Sequence, residues 1–355
     1  MKHTLTPTLL ALAASTCLSA AHAQSSVTIY GVADLGVRSS HGLDAAYAPS
    51  GASVNALGSG INTTSRLGYR GTEDLGGGLR AEFNFESGMN VDSGTFNSKF
   101  FDRASIVGLG GSWGKVTAGR QTTLLADALG TIDPLNSRFA SFNPNVQIAA
   151  LSGHKLGLEY GPAGASSGSY RLDNSLKYTL QNGGLTVRAM TGLGEQVNSS
   201  DKLSSQGASL DYSIGNYAAS LAYTEFKTVN SLSLKAWLTG VRAQVGAAKL
   251  YLSWGTHDAQ TTATATTTNE TLAVGVQYPI SASLNLIVSQ YKVDRSRTGL
   301  TQDGFDRTIA FLEYSLSKRS MLYAELDNTR WRNNYQGTGN ASTGTGMSLG
   351  LKHTF

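Results

Sequence analysis

The sequence predicts an all-β fold: a transmembrane antiparallel β-barrel of about sixteen strands, with short turns at one rim and long loops at the other. Three observations point to it. Apolar and polar residues alternate with a two-residue period along most of the chain. Short turns alternate with long polar stretches between these segments. After the N-terminal leader, no segment is apolar for long enough to form a membrane helix.

The first 23 residues are interpreted as a secretory signal peptide, and residues 24–355 as a single barrel domain. Lys2 and His3 give a basic start, residues 9–18 form an apolar run too short to span a bilayer, and an Ala-His-Ala cleavage site follows. The only cysteine, Cys17, lies in the leader. The mature chain is therefore expected to form no disulfide and no Cys-ligated metal site.

The composition fits one all-β unit and does not fit a nucleic-acid-binding protein. Glycine is abundant at 41 residues, proline is scarce at 6, and charged residues make up 15% of the chain. The net charge is +4, and the basic residues are interspersed with acidic ones. Nucleic-acid-binding surfaces usually carry clustered basic stripes, so no nucleic-acid partner is expected. No metal or other cofactor is expected either.

The first strands show the alternation clearly. In residues 27–37, Val, Ile, Ala and Leu take one face, and Thr, Tyr, Asp and Arg take the other. In residues 79–86, Arg, Glu and Asn oppose Leu, Ala and Phe. Such faces indicate water on one side of the sheet and lipid on the other. Residues of the polar parity are predicted to line the lumen wall, among them Arg70, Arg80, Glu82, Arg188 and Arg242.

Seven short reversals occur along the chain, and each joins two alternating segments. Seven hairpins give fourteen strands, and the first and last strands bring the number to about sixteen, an even number typical of bacterial barrels. The reversals lie at 73–78, 110–114, 181–184, 213–216, 245–248, 279–283 and 317–320. The longer polar connections lie at 39–64, 87–100, 121–173, 192–205, 224–234, 255–270, 293–307 and 328–345.

The last ten residues, GMSLGLKHTF, are typical of a final strand with one apolar and one polar face. Met347, Leu349, Leu351 and Phe355 share the apolar parity. A membrane barrel needs its last strand to pair with its first, because an open edge would leave backbone groups unpaired. Phe355 is therefore predicted to take part in barrel closure.

Several motifs resemble those of the Gram-negative general porins. The resemblance implies a trimeric barrel of about sixteen strands in the outer membrane, with periplasmic turns, extracellular loops and a third loop folded into the lumen. It also implies that Phe355 serves as an assembly signal. The motifs occur in order along the chain: SVTIYGVAD (26–34), SRLGYRGTEDLGGGL (65–79), FNFESG (83–88), FDRASIVGL (101–109), GKVTAGRQ (114–121), SLSKRSMLY (315–323) and GLKHTF (350–355).

The resemblance further implies a function and a set of partners. The function is a water-filled channel for passive diffusion of ions and small hydrophilic solutes, without enzymatic activity. The partners are further copies of the chain in a homotrimer, outer-membrane lipid and lipopolysaccharide, the barrel assembly machinery, and the solutes themselves.

The third long connection, residues 122–173, is the longest, and an insertion of this size in a compact barrel is usually functional. By resemblance, acidic residues on this loop face basic residues on the wall across a constriction. The loop lacks the acidic-Phe-Gly-Gly pattern of better-known members. Because the lumen candidates lean positive, we expect a mild anion preference. The constriction candidates are Asp127 and Asp133 on the loop and Arg66, Arg103 and Lys177 on the wall.

The alternatives to a general porin are other barrel functions and a soluble fold. A solute-specific channel or a barrel adhesin would share the same strand pattern. A barrel enzyme would need a base beside its nucleophile. His41, His154 and His257 lie in predicted loops and His353 has the outward parity, so none falls on a predicted lumen face beside a serine. A soluble β-sandwich would need one shared apolar core, and the polar faces are too numerous for that.

Overall fold

The computed structural model describes residues 26–96, 99–149 and 170–355. The predicted signal peptide lies outside the described residues, as does His154. The described chain forms an antiparallel sheet whose wall strands pair in sequence order. The strands are β1 (Ser26–Leu43), β2 (Pro49–Ser59), β3 (Arg66–Gly76), β4 (Leu79–Asn90), β5 (Thr95–Phe96), β6 (Ala104–Gly111), β7 (Gly114–Thr122), β8 (Arg171–Asn182), β9 (Leu185–Gly192), β10 (Ser205–Ile214), β11 (Tyr217–Lys227), β12 (Ser233–Val245), β13 (Ala248–Gln260), β14 (Thr266–Pro279), β15 (Leu284–Arg297), β16 (Asp303–Ser315), β17 (Ser320–Arg332) and β18 (Thr343–Thr354).

The wall contains sixteen strands, because two of the eighteen described elements do not add to it. β2 and β3 both pair with β1, through Ser59 opposite Leu35 and Arg66 opposite Val32, so they are two halves of one wall strand. β5 has two residues and pairs with the end of β4. Over the described residues the number is therefore 18 − 2 = 16. The predicted strand number is confirmed.

The wall closes where β1 pairs with β18. Val32 lies opposite Thr354, and the register continues to His41 opposite Thr345. Phe355 extends this seam by one residue. Its N–H donates to the Gly31 carbonyl at 3.1 Å, and the Gly31 N–H donates to the Phe355 carbonyl at 3.0 Å. The closed wall satisfies the backbone groups that an open edge would leave unpaired.

The outward face of the wall is apolar and ends in a band of aromatic side chains near the short turns. Leu221, Val241, Leu252 and Leu272 point outward and are exposed in the isolated chain, as expected for side chains that contact lipid. Aromatic side chains of this kind lie at the membrane–water interface of outer-membrane barrels. The band consists of Trp113, Tyr212, Tyr217, Tyr278, Tyr314 and Phe355.

The connections differ from prediction at one rim only. The seven short reversals lie where the sequence predicts them. Several predicted long loops are instead continuations of the strands, so that only residues 44–48, 261–265 and 298–302 separate the strands at those hairpins. These stretches are mostly polar, and their composition is therefore typical of loops. Backbone pairing in a hairpin needs no apolar face where water wets both sides.

Part of the inner face is apolar, which the alternation of the early strands does not predict. The inward residues Phe226, Leu234 and Leu238 on β11 and β12 are fully buried. Helix α1 (Leu124–Ile132) covers them, so they contact protein and not water. A second helix, α2 (Pro144–Ala149), follows. Neither described helix has the length and apolar character needed to cross a membrane.

Gly31 permits the seam to close. A Cβ at this position would lie 2.4 Å from the Phe355 ring and 2.7 Å from the Arg66 carbonyl oxygen. We expect Gly31→Val to destabilise the barrel by about 1–3 kcal/mol through overpacking, and to reduce the fraction that refolds into a heat-modifiable species on SDS gels. Ala33→Val, at the next outward position of β1, is the matched control. Equal refolding yields of the two variants would contradict this prediction.

Candidate functional site

The third loop leaves the wall at the end of β7 and returns at Tyr170. Its base is closed by the Thr123 N–H, which donates to the Tyr170 carbonyl at 3.0 Å. Thr123 also caps α1, since its hydroxyl oxygen accepts the Ala126 N–H at 3.2 Å. The helix then packs on the inner face of β10–β12. The described part of the loop, residues 123–149, therefore lies inside the lumen, as predicted.

Two glycines on the inner wall allow the loop to come close to the sheet. A Cβ at Gly240 would lie 2.9 Å from the Ile132 Cβ, and a Cβ at Gly275 would lie 2.4 Å from the Pro134 Cβ. Gln277 adds a hydrogen bond, because its Nε2 donates to the Pro134 carbonyl at 2.6 Å. The wall is thus shaped to hold the loop at one place.

Beyond α1, two wall arginines hold an aromatic pair of the loop. The Phe139 and Phe142 ring centroids are 5.2 Å apart. The Arg307 guanidinium lies 3.5 Å from the Phe142 centroid and donates from Nη1 to the Phe142 carbonyl at 2.6 Å. The Arg38 guanidinium lies 5.4 Å and 5.6 Å from the two centroids. It also pairs with two buried carboxylates of β17 at 2.8 and 2.6 Å. This part of the lumen is filled by protein.

Asp133 lies between these two parts of the loop, with only 1% of its surface exposed. Its carboxylate accepts hydrogen bonds of 2.8–3.2 Å from the Ser137 N–H, the Asn143 and Asn145 side-chain amides and the Tyr291 hydroxyl. Burial raises the pKa of the Asp133 carboxyl above its usual value, and the four donors oppose that shift. Asp133 therefore sits at the junction of loop and wall, turned away from the passage.

Asp127 lies in a cluster of wall charges. Its Oδ2 is 2.7 Å from Lys177 Nζ and 3.8 Å from Arg188 Nε. Its Oδ1 accepts the Thr122 hydroxyl proton at 2.6 Å. Arg188 also pairs with Asp211. The structure thus brings together Asp127 and Lys177 from the constriction candidates, and adds the lumen-wall residue Arg188.

A second charge cluster contains Arg66 and Arg103. Arg103 Nε lies 2.5 Å from Glu86 Oε1, and Arg66 Nε lies 3.5 Å from Glu86 Oε2. The Tyr30 hydroxyl donates to the same carboxylate at 2.9 Å. Arg103 Nη1 is buried without a hydrogen-bond partner in the described part of the chain. One carboxylate thus serves two guanidinium groups, and the cluster keeps an excess of positive charge.

The remaining lumen-wall candidates lie on the inner face nearer the short turns. Glu82 pairs with Lys115 at 2.8 Å. The Arg70 guanidinium lies 4.9 Å from the Tyr30 ring centroid. Within the described ranges, Arg70, Arg80 and Arg242 have no carboxylate oxygen within 4.0 Å of their side-chain nitrogens. Their charges are therefore not cancelled by a neighbouring ion pair.

Sequence reasoning missed several groups that belong to the site. The parity of Glu86 puts it on the polar face of β4, but the sequence pattern does not show that it pairs with Arg66 and Arg103. Arg138 of the loop pairs with Glu313 of β16. The Arg171 guanidinium lies over the Tyr170 ring, with its Cζ 4.4 Å from the ring centroid. Arg138 and Tyr170 lie in a loop without periodicity, so no local signal could have located them.

The open passage lies against one side of the wall. At the level of the third loop, the inner faces of β10–β17 and β1 are covered by α1 and by the segment with Phe139 and Phe142. The inner face of β3 and β4 stays uncovered, and Arg66 and Glu86 are partly exposed there. Within the described residues, no cluster of three or more His, Cys, Asp or Glu side chains could hold a metal ion. The site is thus a slit lined by charge.

A closed membrane barrel with a charged passage narrowed by an inward loop defines a pore protein of the outer-membrane barrel class. The profile of the Gram-negative porin family matches residues 8–334. The chain belongs to the Gram-negative porin family, and its location is the outer membrane. The predicted fold class and location are confirmed.

Individual relatives agree with this assignment. The major outer membrane protein P.IB of Neisseria meningitidis serogroup B is 27% identical over 94% of this chain and 95% of its own length. An outer membrane porin protein of Bordetella pertussis is 35% identical over an aligned stretch of 147 residues. That stretch covers 38% of this chain and 37% of the relative's length. Among solved structures, an anion-selective porin from Comamonas acidovorans is 26% identical with a TM-score of 0.77, over 93% of this chain and 100% of its own.

Contact between Gly275 and Pro134 gives a test of the loop's position. We expect Gly275→Val to push Pro134 away from the wall and towards the passage, so that single-channel conductance falls. The overpacking should destabilise the protein by about 1–3 kcal/mol, which leaves the barrel folded. Val276→Leu, the outward neighbour, is the control. A folded Gly275→Val channel with wild-type conductance would contradict the contact.

Asp133→Leu removes the acceptor of four buried or half-buried donors. Each buried donor left unpaired costs about 1–3 kcal/mol, so the loop should lose its fixed position on the wall. We expect larger current fluctuations in the open channel, measured as open-state noise in planar bilayers. Asp92→Leu, at an exposed turn, is the control. Noise as low as in the unaltered protein would show that Asp133 does not hold the loop.

Proposed function

We propose that the protein is a general diffusion channel, a water-filled pore for ions and small hydrophilic solutes with a mild preference for anions. The observation that carries the proposal is the charge of the inner wall. Opposed charges across a narrow aqueous slit orient polar solutes, penalise apolar ones, and favour ions opposite in sign to the excess charge. Family membership supports the diffusion function, and the anion selectivity of the Comamonas porin supports the sign of the preference.

In this proposal Arg66 and Arg103 form the basic side of the constriction, and the ion pair of Lys177 with Asp127 lines it where the loop meets the wall. The 2.7 Å contact of Lys177 with Asp127 supports the pairing of loop and wall. Arg66 and Arg103 share one carboxylate, which leaves positive charge beside the passage. Asp133 contributes indirectly, because its carboxylate fixes the loop to the wall.

The excess of positive charge extends towards the short-turn rim. Arg70, Arg80, Arg242 and Lys249 have the inward parity, and in the described part of the chain none forms a salt bridge. A charge without an ion-pair partner attracts counter-ions from the water around it. In a salt bridge, the fields of the two opposite charges largely cancel each other at a distance. Anions should therefore be enriched in this half of the lumen.

The proposed assembly is a homotrimer whose contact face includes β1, β2 and β18. Asn55 points outward opposite Ser39, and Ser39 lies opposite Met347 on the other side. An amide at the level of apolar wall residues would be costly in lipid, so burial against another copy explains it better. A groove of about 820 Å³ on the neighbouring outer wall is lined in part by Val27, Phe83, Val107 and Trp113.

The remaining partners follow from the same membrane location. We propose that residues 1–23 direct secretion, and that the barrel assembly machinery recognises the last strand with its exposed Phe355. Outer-membrane lipid and lipopolysaccharide would contact the apolar outward face, where leucine and valine side chains alternate with inward polar ones.

We propose no enzymatic activity. His41 and His353 each contact a serine, Ser53 at 3.0 Å and Ser320 at 2.9 Å. Both pairs lie on the outer face of the wall, away from the aqueous passage. His257 is buried and its Nε2 lies 2.8 Å from the Asn269 side-chain nitrogen. These placements give no nucleophile and base a shared water-filled pocket.

Reversal potentials in a KCl gradient test the ion preference. We expect the anionic sign, and a shift towards neutrality in the double variant Arg70→Gln, Arg80→Gln. The preference should weaken with salt, because the Debye length falls from about 10 Å at 0.1 M to about 3 Å at 1 M. Arg319→Gln, on a short turn outside the lumen, is the control. A cationic sign would refute the preference, and saturable, solute-blocked conductance would favour a solute-specific channel.

Tyr170 gives the preference a pH dependence. Burial tends to raise the pKa of its phenol, but the neighbouring Arg171 and Arg103 guanidinium groups outweigh burial and lower the pKa to about 8. Deprotonation adds a negative charge beside the passage, so anion preference should fall as pH rises through this value. Reversal potentials measured between about pH 6.5 and 9.5 cover the deprotonation of Tyr170. Tyr170→Phe should abolish it, and an unchanged pH dependence in that variant would contradict the assignment.

A further inference from the structure

The break between β2 and β3 folds into the lumen. Ser59 pairs with Leu35, and Arg66 pairs with Val32. Two residues of β1 therefore face six residues, 60–65, on the neighbouring strand, which leaves 6 − 2 = 4 residues in excess. Extra residues in a strand bend it and re-aim its side chains. We call residues 60–65 the inward bulge.

Asp34 fixes the base of the inward bulge and is fully buried. Its carbonyl accepts the Gly60 N–H at 2.9 Å, and its Oδ2 accepts the Thr63 N–H at 2.6 Å. Its own N–H donates to Ser65 Oγ at 2.9 Å. The Tyr323 hydroxyl donates to Asp34 Oδ1 at 2.7 Å. With both ends and the middle bonded to one residue, the bulge has a defined conformation.

The tip of the inward bulge reaches β16 and the third loop. Asn62 Nδ2 donates to Glu313 Oε1 at 2.7 Å, and Asn62 Oδ1 accepts from Lys352 Nζ at 3.2 Å. The Asn62 carbonyl accepts the Phe139 N–H at 3.0 Å. In wall order β1, β18 and β17 lie between the bulged strand and β16. The Asn62–Glu313 contact therefore forms a chord across the inner face of these three strands.

Behind this chord lies a covered region, which we call the seam compartment. Arg38 is 7% exposed, Glu325 0% and Ser348 1%. Tyr47 and the third loop cover Arg38 from one side, with the Arg38 guanidinium 5.0 Å from the Tyr47 ring centroid. The inward bulge lies on the short-turn side, because it contacts Lys352, which is nearer that rim than Ser348.

We propose that the inward bulge is a second constriction element, with Asn62 as its positioning residue. It closes the short-turn end of the seam compartment and confines water and solutes to the passage beside β3 and β4. Without it, water would reach the Arg38 ion pairs and the conducting cross-section would increase. The inference rests on the proposed channel function, but it concerns where in the lumen solutes pass.

Cysteine labelling can locate the water-filled space, because the single cysteine of the chain, Cys17, lies in the predicted leader. Ser348→Cys reports on the seam compartment, and Arg70→Cys reports on the open lumen. With the bulge intact, a charged methanethiosulfonate should label Ser348→Cys at least about tenfold more slowly than Arg70→Cys, since reaction at a covered site requires an opening event. Equal labelling rates would show an open compartment and overturn the proposal.

Shortening residues 60–65 to two strand residues removes the bulge. Ser348→Cys should then label at nearly the Arg70→Cys rate, and single-channel conductance should rise. Asn62→Leu is the milder variant, since it keeps the backbone bond to Phe139 and loses the three side-chain bonds of Asn62, with Glu313, Lys352 and the Thr63 hydroxyl. It should give an intermediate labelling rate, and Thr64→Ala should match the unaltered rate.

Heat-modifiability on SDS gels verifies that each variant is folded. Unchanged Ser348→Cys labelling in both the shortened and the Asn62→Leu variants would refute the closing role of the bulge. The channel function is judged separately by the conductance of the unaltered protein. A conducting protein with unchanged labelling in the variants would therefore overturn this inference alone.

Discussion

Hydrocarbon offers no hydrogen-bond partners, so each backbone N–H and C=O that crosses the membrane must be paired within the sheet, at a cost of several kcal/mol for each one left unpaired. An open sheet would leave two such edges. Pairing of β1 with β18 removes both, and the reciprocal bonds of Gly31 and Phe355 complete it. Because the wall is closed, the alternation of side chains gives an apolar outside and an aqueous inside.

A barrel of this size is too wide to be filled by its own inward side chains. The described part of the third loop, residues 123–149, occupies much of the space. Gly240 and Gly275 leave room for it on the wall, and Tyr291 of the wall donates a hydrogen bond to its Asp133 carboxylate. The inward bulge occupies more of it beside the seam. Charges that remain beside the passage are only partly paired. The contacts that set the aperture therefore also set the charge that a passing ion meets.

The wall could be predicted from the sequence because its pattern is local: alternation requires only that one face meets lipid. The lumen could not be predicted to the same depth. Parity places Lys177 on the inner face, but its partner Asp127 comes from a loop. The burial of Asp133 depends on Tyr291, 158 residues away. Residues 60–65 have the composition of a surface connection, so nothing local shows that they fold inward.

Single-channel recording of the refolded protein over a series of KCl concentrations tests most directly whether a closed wall surrounds a water-filled passage. A barrel closed by β1 and β18 should give discrete conductance steps whose size rises in proportion to the conductivity of the bulk electrolyte. Absence of discrete steps from protein that is folded by heat-modifiability, or steps that stay constant as the electrolyte is concentrated, would contradict a water-filled pore.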